Sequence, residues 1–278
     1  MSNNLIKPNF SHILLIALWG SLLVSCGDDE PNLFSVEDDV SVSGKLYDWV
    51  LSDTLNSVLD EASYASTYDY ADNVFNYLID LVDSNSVSLL ANKDLFNWEL
   101  VVIQSSELNG FAMPGGLICV NTGLINLMST EDEFASMLMH LILHSDNRDV
   151  TKQMLQEFSN EELLNAASGN SESSLDKIGT FLLGRGGSLS YSISDERELD
   201  ETMVQHLSLS KYACNAHALF IETLENRKNQ GDSPAFLSGH QDIADRLTTI
   251  NDIATELGCN TEQSQTATEF QAFKGSLP

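Results

Sequence analysis

The sequence predicts an α+β domain that is mainly helical with a small sheet. Three observations carry that reading: apolar residues recur at helical spacing over most of the chain, two β-rich runs flank a Pro-Gly-Gly turn, and a capped helix begins soon after them. With 278 residues and 42% hydrophobic content, the chain can bury one substantial core.

Taken in chain order, the N-terminus reads as a targeting segment. Lys7 precedes an apolar run over residues 13–24, short for a membrane span and suited to the hydrophobic region of a signal peptide. The run closes on Leu23-Val24-Ser25-Cys26, which resembles a bacterial lipoprotein box, and polar Gly27-Asp28-Asp29-Glu30 follows. Residues 1–25 are thus expected to be a lipoprotein signal peptide and residues 26–35 a lipid tether beginning at acylated Cys26. The folded domain is then expected over 36–260 and a C-terminal tail over 261–278. Each buried CH2 of an acyl chain contributes about 0.8 kcal/mol, so a multiply acylated cysteine would hold the domain on a bilayer. The expected location is the bacterial cell envelope, lipid-anchored on the periplasmic face or the cell surface.

Within the domain, Tyr47, Leu51, Leu55 and Leu59 recur at four-residue steps, as do Val74, Leu78 and Val82, and predict two amphipathic helices. Residues 98–103 are β-rich. The turn Met113-Pro114-Gly115-Gly116 separates them from a second strand candidate, residues 117–121. Thr130 with Glu133 three residues later resembles a capping box and starts the next helix there. Residues 165–174, rich in Ser, Asn and Gly, read as a loop or a frayed helix junction. Further helices are predicted from about 196 to 209, 212 to 224 and 243 to 257.

Thirteen basic against 41 acidic side chains give a formal charge of −28, which argues against a nucleic-acid partner and against electrostatic docking on an anionic membrane. Any membrane contact therefore runs through Cys26. Of the other cysteines, Cys119 sits in the apolar run Leu117-Ile118-Cys119-Val120 and reads as buried, which leaves Cys214 with Cys259 as the better disulfide pair.

The chemistry-bearing pattern is His140-Leu141-Ile142-Leu143-His144. On a helix, positions four apart lie about 40° from one another, so both imidazoles face one point. Two ligands from one rigid turn and a third from elsewhere make a zinc site with an open position. The spacing alone is weak evidence, and His206 and His217 read as packing or surface histidines.

Several motifs in register strengthen it. Asn109-Gly110-Phe111-Ala112-Met113-Pro114-Gly115-Gly116, Asn121-Thr122-Gly123-Leu124, the histidine helix, Ser194-Asp195-Glu196-Arg197-Glu198-Leu199-Asp200, and Phe236-Leu237-Ser238-Gly239-His240 with Arg246 follow in order. Together they resemble the HtpX-like and CAAX prenyl endopeptidase family of zinc metallopeptidases, metallopeptidase family 48, in its small bacterial lipoprotein type. The resemblance runs from about residue 33 to residue 259. It implies a zincin-like (gluzincin) metallopeptidase domain holding one zinc ion, with His140, His144 and Glu196 as ligands. Asp200 would support a ligand histidine from behind, and His240 would support or gate the site. The 117–121 strand would be the edge strand that receives an extended peptide. Glu198 reads as a solvated neighbour of Glu196.

The departures bear on activity. Leu141 stands where the family places its catalytic glutamate, Ile193 where an arginine is usual, Gln241 where a proline is usual, and Asp149 where a histidine is common. In the family's mechanism zinc polarises the peptide carbonyl and its water, and the glutamate moves the proton from water to leaving amine. Leucine does neither, and losing the general base and acid typically removes about 10²–10⁴ of rate. The expectation is a membrane-anchored, catalytically impaired homologue that binds zinc and unfolded or extended peptides or envelope proteins. Two alternatives remain open: an active zinc-dependent metalloendopeptidase in envelope protein quality control, and a metal-free scaffold.

Overall fold

Side-chain caps decide where the first helices begin. Ser35 and Asp38 exchange hydrogen bonds in a capping box that opens helix α1 (Val36–Ser52), and Thr130 accepts from the backbone of Glu133 to open helix α4 (Glu131–Asp146). Glu133 completes the second box by accepting from Ser129 instead of Thr130. The computed structural model describes residues 34–53, 57–183, 189–239 and 243–278; the expected signal peptide, Cys26, Leu55, His240 and Gln241 lie outside them. Residues Leu33–Pro278 form one compact unit.

After α1 and α2 (Ala65–Ile79) come strand β1 (Glu99–Ile103), strand β2 (Gly110–Ala112), a 3-10 turn over Pro114–Gly116, and strand β3 (Leu117–Asn121). The sheet order is β1-β3-β2, with β1 parallel and β2 antiparallel to β3. This overturns the expectation for residues 117–121: β3 is the central strand, and the edges are β1 and β2. Two neighbours on β3 follow from β2, a three-residue strand opened by Gly110, too short for an alternating pattern to announce. The turn is built on glycine out of necessity. Gly115 has φ 71°, and a Cβ there would lie 2.5 Å from the Asp39 carbonyl of α1. Ser145 of α4 pins the turn by accepting from Gly116 N and donating to the Met113 carbonyl.

The helices α3 (Thr122–Leu127), α5 (Asp149–Glu157), α6 (Asn160–Ser168), α7 (Glu172–Leu182), α8 (Ile193–Ser208), α9 (Ala216–Asn229), α10 (Phe236–Gly239), α11 (Ile243–Leu257) and α12 (Ala267–Lys274) surround α4 and the sheet. All 16 residues of α4 are buried, against α2, α8, α9, β2 and β3 among others. The junction expected over 165–174 is the Gly169-Asn170-Ser171 break between α6 and α7.

Three expectations shift. Helix α1 ends before Leu59 and buries Asp39, Val42, Ser43, Leu46 and Val50, leaving Leu51 exposed, because its Ser35 cap sets the register earlier than the Tyr47 pattern implied. Val82 lies beyond α2 and is exposed. Residues expected as a tail carry α12, whose Phe270 and Phe273 are buried and pack on Phe134 of α4 at centroid distances of 6.1 and 5.4 Å. Phe273 also stacks on Tyr70 at 4.6 Å.

Phe270 therefore belongs to the core. Phe270→Ala should cost about 3–5 kcal/mol in urea unfolding, the usual cost of emptying a buried phenylalanine site. An unchanged midpoint would mean that α12 is dispensable.

Candidate metal centre

Helix α4 brings His140 and His144 to one side, with ring centroids 4.6 Å apart and planes at 88°. Glu196, buried in the first half of α8, reaches them from a second helix, and its Oε1 lies 3.4 Å from His144 Nε2. One ligand atom from each of His140, His144 and Glu196 lies within 4.8 Å of the others. Bonds of about 2.0–2.2 Å at tetrahedral angles place neighbouring ligand atoms about 3.3–3.6 Å apart, so the 3.4 Å spacing suits a zinc ion. Two imidazoles and one carboxylate, all buried, are the donor set of an open zinc site.

Behind these residues sit their supports. Asp149 Oδ2 lies 3.1 Å from His144 Nδ1 and fixes the ring so that Nε2 faces Glu196. Burial works against charge on both groups; the pair outweighs it, so His144 is held above its ordinary pKa and Asp149, with help from Lys152, below its own. Tyr191 covers the other face of His144, stacked at 3.8 Å and 14°, and burial pushes its hydroxyl well up, so it remains a hydrogen-bond donor at neutral pH.

Arg246 of α11 closes the site from below. Its Nε and Nη2 each bond an oxygen of Asp200 at 2.7 Å, and its Nη1 lies 2.7 Å from Glu196 Oε2. Nη2 also meets His217 Nε2 at 3.2 Å. Burial opposes charge on the guanidinium, but Asp200 and Glu196 raise its pKa further, so it is a fixed cation. His140, Asp200 and His217 form a second group with metal-ligand spacing, yet Arg246 already occupies both Asp200 oxygens and His217 Nε2. The guanidinium is the resident cation there.

Leu141 is buried and faces a cleft of ≈ 270 Å³ bordered by β2, Tyr191 and Phe236. Its Cδ1 comes within 3.3 Å of where a Cβ on Gly110 would be, so the leucine packs on the edge strand itself. The four acids of α4 are committed elsewhere: Glu131 to the Tyr70 and Tyr212 hydroxyls, Asp132 to Ala213 N and Ser264 N, Glu133 to Ser129 N, and Asp146 to Ala91 N and Asn92 N at 2.8 Å each. Among the described residues lining the cleft the one carboxylate is Glu107, on the exposed loop before β2.

The expected ligand residues and Asp200 thus lie together, and His240 falls outside the described residues. Of the packing and surface readings, His217 takes the first: it is buried and stacks on His140 at 4.7 Å and 16°. Half-buried His206 bonds the Leu89 carbonyl, a packing role. Cys214 and Cys259 are joined in a disulfide that ties the start of α9 to the end of α11, and Cys119 is buried. Asp149, Tyr191 and His217 carry no supporting role in the sequence reading, because their spacing to their partners repeats no motif. Glu198 and Ile193 are exposed.

A buried helix with paired histidines, a glutamate from a second helix and a short sheet edge beside them define a zincin-like metallopeptidase domain. Comparison with known families agrees, and more narrowly. The chain belongs to the family described as Peptidase family M48, whose model matches residues 74–254. It is 28% identical over 185 residues to the mitochondrial metalloendopeptidase OMA1 of Schizosaccharomyces pombe, covering 64% of this chain and 54% of that one. It is 24% identical over 153 residues to the beta-barrel assembly-enhancing protease of Escherichia coli, covering 52% of this chain and 31% of that one. The chain therefore spans about half or less of the length of these relatives.

Arg246 is the testable keystone. Replacing it by methionine leaves two buried carboxylates uncompensated, and Arg246→Met should lower unfolding stability in chelator by about 3–5 kcal/mol. A loss below 1 kcal/mol would show that Glu196 and Asp200 shed their charge at little cost.

Proposed function

We propose that this protein is a catalytically impaired member of its family that holds one zinc ion through His140, His144 and Glu196 and binds extended or unfolded peptides at the bacterial envelope. The observation that carries this reading is Leu141. It occupies the cleft face of α4 beside the ligand pair, against the edge strand, and no other acid of that helix is free to take its place. Bound zinc would supply Lewis acidity toward a peptide carbonyl and a lowered pKa for water. The chain's own residues would bind and orient: β2 offers a strand edge, and Phe111, Tyr191 and Phe236 offer aromatic walls. Among the described residues no carboxylate of α4 is placed to carry the proton from water to the leaving amine. Peptide capture without efficient cleavage follows.

Support for the envelope comes from the lipoprotein-box sequence ending at Cys26 and from relatives named for beta-barrel assembly. No helix among the described residues is long and apolar enough to cross a membrane, so the anchor in this reading is lipid on Cys26. The relatives' names favour one rival, an active metalloendopeptidase in envelope quality control that uses a base outside α4, and Glu107 would be the first candidate.

One preparation tests both. Purified without chelator, the protein should carry about one zinc, lost in His140→Ala. On that zinc-loaded protein, Leu141→Glu should raise hydrolysis of unfolded casein by about a hundredfold or more, in a chelator-sensitive manner. Leucine and glutamate have similar helix propensity, so α4 should tolerate the change. Robust chelator-sensitive cleavage by the unaltered protein would refute the impaired reading, and zinc content unchanged by His140→Ala would refute the ligand set.

Anchoring is read separately. The full-length chain should partition into detergent, whereas Cys26→Ser should remain in the aqueous phase or uncleaved. Identical partitioning would mean that Cys26 carries no lipid.

A further inference from the structure

We propose that His217 is a positioning residue that keeps Glu196 a one-oxygen metal ligand by fixing the orientation of Arg246. The inference rests on reading the site as a metal centre. His217 lies outside every motif that carries the family resemblance.

The argument starts from the guanidinium. A planar guanidinium can grip a carboxylate through Nε and one Nη, or end-on through both Nη atoms. Here Arg246 uses Nε and Nη2 on Asp200, which leaves Nη1 for Glu196 Oε2 at 2.7 Å. The end-on grip would take Nη1 away from Glu196. The Nη1 pair with Glu196 favours the observed grip, and the contact of Nη2 with His217 Nε2 at 3.2 Å holds it. Arginine only donates, so His217 Nε2 accepts and its proton resides on Nδ1. The His217 ring is itself held by stacking on His140 at 4.7 Å and by the disulfide that ties Cys214, three residues earlier, to Cys259.

The consequence falls on Glu196. Oε2 lies in an ion pair with Arg246, while Oε1, 3.4 Å from His144 Nε2, faces the metal centre. A carboxylate free to bind through both oxygens would fill a further position around the ion. The one-oxygen mode instead leaves that position for an incoming ligand such as a peptide carbonyl. His217 thus governs how open the centre is, acting through Arg246 and Glu196.

Cobalt reads this directly, because four-coordinate Co2+ absorbs visible light far more strongly than five-coordinate Co2+. Full mature protein freed of metal and titrated with Co2+ should give the intense four-coordinate bands. His217→Phe keeps the ring stacked on His140 but offers no acceptor, and should lose most of that intensity as Glu196 binds through both oxygens. His217→Gln places an amide oxygen near the position of Nε2 and should restore the unaltered spectrum. Should His217→Phe fail to fold, His217→Ala reads the same difference. A full-intensity spectrum in the variant lacking the acceptor, or a His217→Gln spectrum like that of His217→Phe, overturns the inference while leaving the metal centre intact. Absence of Co2+ uptake by the unaltered protein overturns the metal reading and this inference with it.

Discussion

Helix α4 has no face in water, and that single constraint organises the molecule. A buried polar group without a partner costs roughly 1–3 kcal/mol, so each polar side chain on the helix must be met from outside it. At the N-terminal turn, Tyr70 and Tyr212 donate to Glu131, while the backbone of Ala213 and Ser264 donates to Asp132. The acids also sit at the positive end of the helix dipole. At the C-terminal turn, Asp146 takes the amides of Ala91 and Asn92, and Ser145 pins the glycine turn. Arg148, in the left-handed region at φ 58°, reaches back to the carbonyls of Phe34 and Ser35 and to Asp39. The histidine pair is therefore carried on a rod fastened at both ends, which is what a metal site requires.

The same constraint explains the charge arrangement beneath the histidines. Glu196, Asp200 and Asp149 are three acids buried close together in a chain that already carries −28. Among the described residues Arg246 is the one buried Lys or Arg, and it serves two of those acids at once. A lysine would offer a single point of charge, whereas the guanidinium fork satisfies Asp200 through two bonds and still reaches Glu196. Asp149 is handled differently. It sits at the start of α5, where Lys152 one turn on and the helix dipole both favour its charge, and it spends that charge on His144. Two helices beyond α4, each with its own way of holding an acid, thus converge on two histidines.

How much of this the sequence showed depended on whether the signal was local. The bounds of β3 and α11 and the start of α4 were legible because a turn, a periodic run and a cap each lie within a few residues of what they define. Strand order was not, because β2 is three residues long and its effect is to turn β3 from an edge into a centre. Helix α12 was missed for a related reason: Phe270 and Phe273 supply one turn of apolar spacing, and what buries them is Tyr70 and Phe134, far away in the chain. The site divides in the same way. His140, His144, Glu196 and Asp200 belong to motifs with fixed spacing. His217 meets Arg246 across 29 residues and Asp149 meets His144 across a left-handed break at Arg148, and neither spacing repeats a pattern that could be read from one sequence.

The distribution of retained and replaced residues has a physical reading. Glu196 cannot be lost alone, because Arg246 would then keep a buried charge with one of its two partners gone, and His144 would lose the carboxylate that faces it. The ligand residues are thus members of the folding network as well as candidate metal ligands. Position 141 has no such second duty. A glutamate there would bring a carboxylate to a cleft wall formed by Gly110 and apolar side chains, a charge favoured by a metal-bound water and by little else. Leucine at the same place adds roughly 1.5–3 kcal/mol of apolar burial. In the reading proposed here, leucine in place of a base at 141 strengthens the packing between α4 and the β2 edge strand while leaving the ligand network whole. A domain whose task is to present a fixed metal centre and a strand edge would gain by that exchange, whereas a domain whose task is turnover would forfeit the group that moves the proton.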